Sequence, residues 1–367
     1  MSVSPGALAS RLSLEIGLSN DRRVTFCALL LGLISARTVN LTHLAAAFCG
    51  PAKLASNYRR LQRFFQYVRL DSDWLARTLV SLLCLAPPYQ LCLDRTNWKI
   101  GLKDVNLLVL CIAAHRARIP LMWHVLDRSG ASSMEQRQAL LSRFIALFGK
   151  RSIKLLLADR EFIGGQWFDF LAKNGIPFAI RVRGDLNVRL DDGYEGPLER
   201  LASTRFGRIR LMKAKGCFDN MDERFETALS FAAIRLPDAS LLILATSLNP
   251  KKALRVYRKR WQIECLFGDT KTRGFNMEDT RLTQPAKLSL LLSLVALAMA
   301  WSRACAAAAK GKIDIKRASH GYRRKSWFRT GFDTLRHWIT ARPDMAIASW
   351  DEVWRRAAKP VKKRRVV

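Results

Sequence analysis

Residues 153–162 read IKLLLADREF, and this stretch decides the fold. A short apolar run that stops at an acid predicts a strand buried on both faces, Ile153 to Ala158, with Asp159 at its carboxyl end. Residues 89–99, YQLCLDRTNWK, repeat the pattern: a strand from Tyr89 that ends at Asp94. The carboxyl ends of such strands border the crevice where open α/β sheets bind ligands. Taken singly, each Asp reads as an ordinary acid that starts a turn.

Outward from these two strands, Val105 to Ala113 and Pro120 to Leu126 read as further strands. Ser133 to Phe148 has helical spacing, with Ser133 and Gln136 as a capping box. A helix over Gln166 to Lys173 stops at Gly175, and Pro177 to Val182 is another strand. The order β-β-β-α-β-α-β predicts a mixed sheet with helices packed on it. Asn187 to Leu190, Arg208 to Ala214 and Thr227 to Arg235 alternate as strands between turn residues, a β-rich insertion, and Leu241 to Thr246 is one more strand. A single long helix is expected from Pro250 to about Thr272, and another from Leu288 to Lys310. Upstream of the break at Pro87-Pro88, residues 1–88 read as helices. One of them, NYRRLQRFFQYVR over residues 57–69, mixes Arg with Tyr and Phe. That mix suits either a helix lying on DNA or an amphipathic helix with a snorkelling rim.

Lys and Arg number 62 against 30 Asp and Glu, a net charge of +32. A polyanionic partner follows, because each neutralised phosphate releases a counterion. A coat protein of nucleic acid and an enzyme acting on it both fit that charge. The segment from Lys310 to Val367 alone carries 17 basic and 5 acidic residues, ending in KPVKKRRVV. The eight cysteines form no C-x-x-C pair and read as core residues of a reducing compartment. No signal peptide is expected at the N-terminus. The uncharged run Leu288 to Ser302 falls short of the roughly 20 residues that span a bilayer and reads as a buried core helix.

Phosphoryl transfer on DNA needs an activated hydroxyl and a stabilised leaving oxygen, which two divalent ions held by carboxylates supply. Glu264 is the third candidate. It lies among apolar neighbours in YRKRWQIECLFGDTK, residues 257–271. Tyr257, Arg260, Glu264 and Lys271 are spaced 3, 4 and 7, along one helix face. An ordinary solvated face with an Arg260–Glu264 ion pair has the same spacing.

The pattern Y-x2-R-x3-E-x6-K at these four positions resembles the signature of the fourth insertion-sequence family (IS-four type) of bacterial DDE transposases. DRTNWK at 94–99 and DREF at 159–162 resemble that family's segments around its two aspartates. The resemblance covers residues 89 to 310. It implies a ribonuclease-H-like catalytic core interrupted by a β-strand insertion, with Asp94, Asp159 and Glu264 as the metal-binding catalytic triad. Tyr257, Arg260 and Lys271 are implied as contacts to DNA phosphates. It further implies Mg²⁺ as cofactor (two ions, with Mn²⁺ as a substitute), double-stranded DNA ends and target DNA as partners, a homodimer in the synaptic complex, and a bacterial cytoplasmic location.

The organisation expected is a mixed α/β chain. Residues 1–88 form a helical DNA-binding region, 89–184 the first part of the core, and 185–240 the insertion. Residues 241–310 carry the Glu helix, and 311–367 form a basic helical C-terminal region. Some family members pass through a DNA hairpin using an aromatic of the insertion. No Trp lies between Gly184 and Ala253, which leaves Phe206, Phe218, Phe225 and Phe231. Trp98 and Trp261 read as core residues or base-stacking platforms, Arg95 and Arg160 as phosphate steering or as partners of acids. The alternatives are a related metal nuclease or inactive remnant, and a DNA-binding protein without chemistry, for which the three acids would lie far apart.

Overall fold

A computed structural model describes residues 3–12, 16–48, 50–114, 118–126, 129–190, 193–202, 210–218, 223–309, 319 and 324–358. The chain opens with helices α1 (Pro5–Ser10), α2 (Asn20–Ala36), α3 (Leu41–Ala46), α4 (Leu54–Tyr67) and α5 (Ser72–Leu82). Strands β1 (Tyr89–Ile100), β2 (Lys103–Ile112) and β3 (Ile119–Leu126) follow, then α6 (Met134–Phe148), β4 (Ile153–Ala158), α7 (Gly165–Lys173) and β5 (Phe178–Val182). Next come β6 (Asn187–Leu190), β7 (Glu195–Pro197), β8 (Arg210–Phe218), β9 (Glu223–Arg235) and β10 (Leu241–Thr246). Helices α8 (Pro250–Tyr257), α9 (Trp261–Thr270), α10 (Pro285–Ala308), α11 (Trp327–Ala341) and α12 (Pro343–Ala358) complete it.

The strands make one mixed sheet in the order β3-β2-β1-β4-β5-β10-β9-β8-β6-β7. β4 is parallel to β1 on one side and to β5 on the other, which explains its continuous apolar run. The capping box of α6 forms: Ser133 Oγ accepts from Gln136 N, and Ser133 N donates to Gln136 Oε1. The architecture is the mixed α/β arrangement expected, consistent with a ribonuclease-H-like core.

Three local features differ from the sequence reading or extend it. First, β1 does not end at Asp94 but runs on to Ile100, because its second half pairs with β2 from Asp94↔Val109 to Ile100↔Lys103. Second, the strands β6 to β9 of the expected β-rich insertion continue the core sheet. β9 pairs with β10 and β10 with β5, so residues 185–240 lengthen the core sheet. Third, the helix expected from Pro250 to Thr272 is broken by a 3₁₀ turn at Arg258–Arg260, between α8 and α9. Local spacing cannot distinguish a tightened turn from a continuous helix, since both stay in the right-handed region. Phe206 and the basic tail from 359 onward lie outside the described residues, as do the side chains of Phe218 and Phe225; Phe231 is fully buried in β9.

α10 is long and apolar enough to cross a membrane, yet it is buried inside the protein. It packs on β3, α2 and α5 from the first part of the chain and on α11 and α12 from the last. Gly331 of α11 permits the closest approach: a Cβ there would lie 1.9 Å from Ser302 O of α10. Chain beginning and chain end therefore share one helical layer. Val3 N donates to Ile339 O, and Trp350 Nε1 donates to Leu8 O. The described cysteines Cys27, Cys84, Cys92, Cys111, Cys265 and Cys305 are free thiols.

Candidate active site

The last parallel pair of β1 and β4 is Leu93↔Ala158, so Asp94 and Asp159 stand level on neighbouring strands. Each is seated in the same way. Asp94 Oδ1 accepts from the backbone N of Arg95 at 2.8 Å, and Asp159 Oδ1 accepts from the N of Arg160 at 2.8 Å. Each Oδ2 faces the same guanidinium, with Arg260 Nη1 at 3.5 Å from Asp94 Oδ2 and 3.9 Å from Asp159 Oδ2. The separation of those two oxygens cannot exceed the sum of the two distances. Arg260 Nη2 donates to Glu264 Oε1, an (i, i+4) pair. All three predicted acids are thus brought together, from β1, the end of β4 and α9, around one arginine.

The 3₁₀ turn places that arginine. Its guanidinium lies over the Tyr257 ring, 5.8 Å from the centroid. Tyr257 itself is buried, and its hydroxyl donates to Ala158 O at 3.2 Å, the carbonyl just before Asp159. This bond fixes the end of β4. Lys271 is the C-cap of α9. Its Nζ pairs with Glu278 at 2.7 Å and donates to Asn97 O of β1 at 3.4 Å. Arg95 makes a bidentate pair with Glu161, at 2.7 and 2.9 Å, and donates to Asn106 Oδ1. It braces the acid strand against the loop after Asp159. Arg160 is exposed. Trp98 is buried, whereas Trp261 is 60% exposed beside Arg260.

Burial is the main cause that pushes Asp94 up to about 7. The Arg95 N–H and Arg260 pull it down, and Asp159 and Glu161 push it further up. Burial opposes the charge on Arg260, but Tyr257, Asp159, Glu264 and Asp94 outweigh that and hold it above the usual arginine range. Fully ionised, the cluster holds three negative charges against one positive. Hard oxygen donors in surplus are the chemistry a divalent cation such as Mg²⁺ requires. Among the described residues, no three Asp, Glu, His or Cys side chains are spaced to hold a metal ion, and the Arg260 guanidinium lies among the three acids.

α9 carries a second ionic cluster that its spacing did not disclose. Asp269 Oδ2 accepts from Arg118 at 2.9 Å and from Arg303 of α10 at 3.1 Å. Arg118 also donates to Gln262 Oε1. This cluster ties the Glu264 helix to α10 and to the start of β3. One signal was present in the sequence: the uncharged run of α10 is broken by Arg303 in mid-helix, where a charge must find a buried partner.

No curated protein is significantly similar to the chain in sequence. A cryo-EM structure of the piggyBac transposase synaptic complex with hairpin DNA is similar at 13% identity and a TM-score of 0.45, over 98% of this chain and 79% of that one. The family model of the transposase DDE domain matches residues 87–301, more than half of the chain, and that span runs from before β1 into α10, so that it includes Asp94, Asp159 and Glu264. On that match the chain belongs to the transposase DDE domain family.

Proposed function

We propose that this transposase cleaves and joins transposon-end DNA with Asp94, Asp159 and Glu264 as its catalytic, metal-binding triad. The observation that carries the reading is the convergence of these three carboxylates on one guanidinium. It argues against a DNA-binding protein without chemistry, for which the acids had no reason to meet. Two Mg²⁺ ions, for which Mn²⁺ substitutes, would supply the activation of water or a 3′-hydroxyl and the stabilisation of the leaving oxygen.

The chain's own residues divide the remaining work. The N–H groups of Arg95 and Arg160 orient the two aspartates, so that both Oδ2 atoms point at one place. Tyr257 holds the end of β4, and the Asp269 cluster holds α9, so Glu264 meets the aspartates in a fixed register. Arg260 neutralises part of the charge of the cluster and would have to give way for the three acids to hold ions. Released, it stands beside the acids, where a DNA phosphate is its natural partner. Lys271 is assigned to the DNA backbone on the sequence resemblance. The IS-four type, a homodimeric synaptic complex and a bacterial cytoplasmic location belong to the same reading.

The test is cleavage of the element's own end DNA with and without Mg²⁺. Wild type should cut only with the ion, while Asp94→Asn, Asp159→Asn and Glu264→Gln should bind ends without cutting them. Full cleavage by any of the three would overturn the triad. A second reading, a remnant that only binds DNA, is favoured by the central position of Arg260. It predicts that wild type takes up no Mn²⁺ even when DNA is bound.

A further inference from the structure

A cleft of about 450 Å³ opens between α4 and the segment that enters α10. Arg63 lines one wall, Arg281 and Lys287 line the other, and no acidic side chain lines it. Among the described residues none of these three cations has a carboxylate partner. The acids nearest in sequence are already engaged: Glu278 by Lys271 and Asp279 by Thr38. Gln62, Gln66 and Tyr67 extend the α4 wall; they share the face of Arg63, and Tyr67 is 66% exposed. Leu61 and Phe64 of α4 are buried in the core, and Phe65, also buried, reaches the cleft.

The segment that carries Arg281 is tied to the residues that lead into the Asn40 end of the cleft. Thr38 Oγ1 donates to Asp279 Oδ2 at 2.8 Å, and Asn276 Nδ2 donates to Arg37 O at 3.1 Å. These bonds clamp the segment before Arg281 to the residues just before Asn40 of the cleft.

We infer that this cleft is a second DNA-binding site, distinct from the acid cluster, in which Arg63, Arg281 and Lys287 grip the phosphodiester backbone of duplex DNA. The uncharged Gln62, Gln66 and Tyr67 add donors for sugar, phosphate or base edges alongside. The site resolves the two readings of the Arg- and Tyr-rich helix in favour of contact with DNA. It needs no metal and no cleavage, so it stands or falls independently of the triad.

The experiment measures binding of the full chain to a labelled mixed-sequence duplex of a few helical turns, in chelator, over a range of salt. Each phosphate contact contributes about 0.9 to the slope of log affinity against log salt. Arg63→Ala with Arg281→Ala should flatten the slope by about 2 and weaken binding at physiological salt at least tenfold. Arg151→Ala is the charge control. Arg151 is exposed at the start of β4, the end opposite Asp159, and its loss should leave the slope as in wild type. A double variant that melts like wild type yet keeps the wild-type slope would overturn the proposal. Should the double variant melt early, Lys287→Gln alone decides: a slope lower by about one supports the site, an unchanged slope removes it.

Discussion

Helix α9 and the 3₁₀ turn before it carry two ionic clusters of opposite composition. In the first, one cation, Arg260, meets three acids. In the second, one acid, Asp269, meets two cations, Arg118 and Arg303. The second is closed, with side-chain exposures of 2% for Asp269 and 1% for Arg303. The first is open on one side, with Asp159 at 30% and Glu264 at 33%. A buried cluster near charge balance locks elements together. A partly open cluster that carries two unbalanced negative charges when fully ionised still has room for further cations. The difference separates the part of α9 that is structural from the part that is chemical.

The largest effect should come from the open cluster. Asp94→Asn, Asp159→Asn or Glu264→Gln should bring end cleavage down to background, read on a gel of labelled end DNA. Measurable cleavage in one of them would mean that the surplus charge is not catalytic. The closed cluster should respond in stability instead. Asp269→Asn leaves two buried guanidinium groups uncompensated and should cost about 3–5 kcal/mol in urea unfolding. A cost below about 1 kcal/mol would show that the cluster is not a lock.

A third expectation distinguishes the clusters by pH. The Asp94 pKa is raised by burial to about 7 from 3.8. A raised carboxyl favours the folded state fully below its unfolded pKa, and that contribution is lost as pH rises through about 7. Asp94→Asn should therefore stabilise the chain at pH 8, by about 2–4 kcal/mol, and have no effect near pH 4. Melting curves at the two pH values check this; a gain that does not change with pH would contradict it. The smallest effect concerns Arg260. Removing it leaves three negative charges unopposed, so Arg260→Gln should tighten Mn²⁺ binding to the DNA-free chain about tenfold, or about 1.4 kcal/mol. Weaker binding in calorimetry would mean that Arg260 supports ions rather than standing in for them.

Much of this was legible in the sequence. The bounds of β4, β6 and β10 follow from their apolar or alternating runs, and strand ends and helix spacing marked the three acids as candidates, which only the family resemblance joined into a triad. What the sequence withheld depends on contacts between distant residues. β1 continues beyond Asp94 because β2 pairs with its polar half. β6 to β9 join the core sheet because β10 bridges β5 and β9. Arg118, Asp269 and Arg303 meet across 151 and 34 residues, beyond any local spacing. Helix spacing likewise did not disclose the bond of Tyr257 to Ala158 O or the pairing of Lys271 with Glu278.

The most direct measurement of the account is Mn²⁺ uptake by the full chain bound to duplex DNA, followed by electron paramagnetic resonance. Wild type should bind Mn²⁺ at the acid cluster, and Asp159→Asn should lose that binding while still holding DNA. Equal Mn²⁺ uptake by wild type and Asp159→Asn, or none by either, would contradict the claim that these carboxylates hold the catalytic ions.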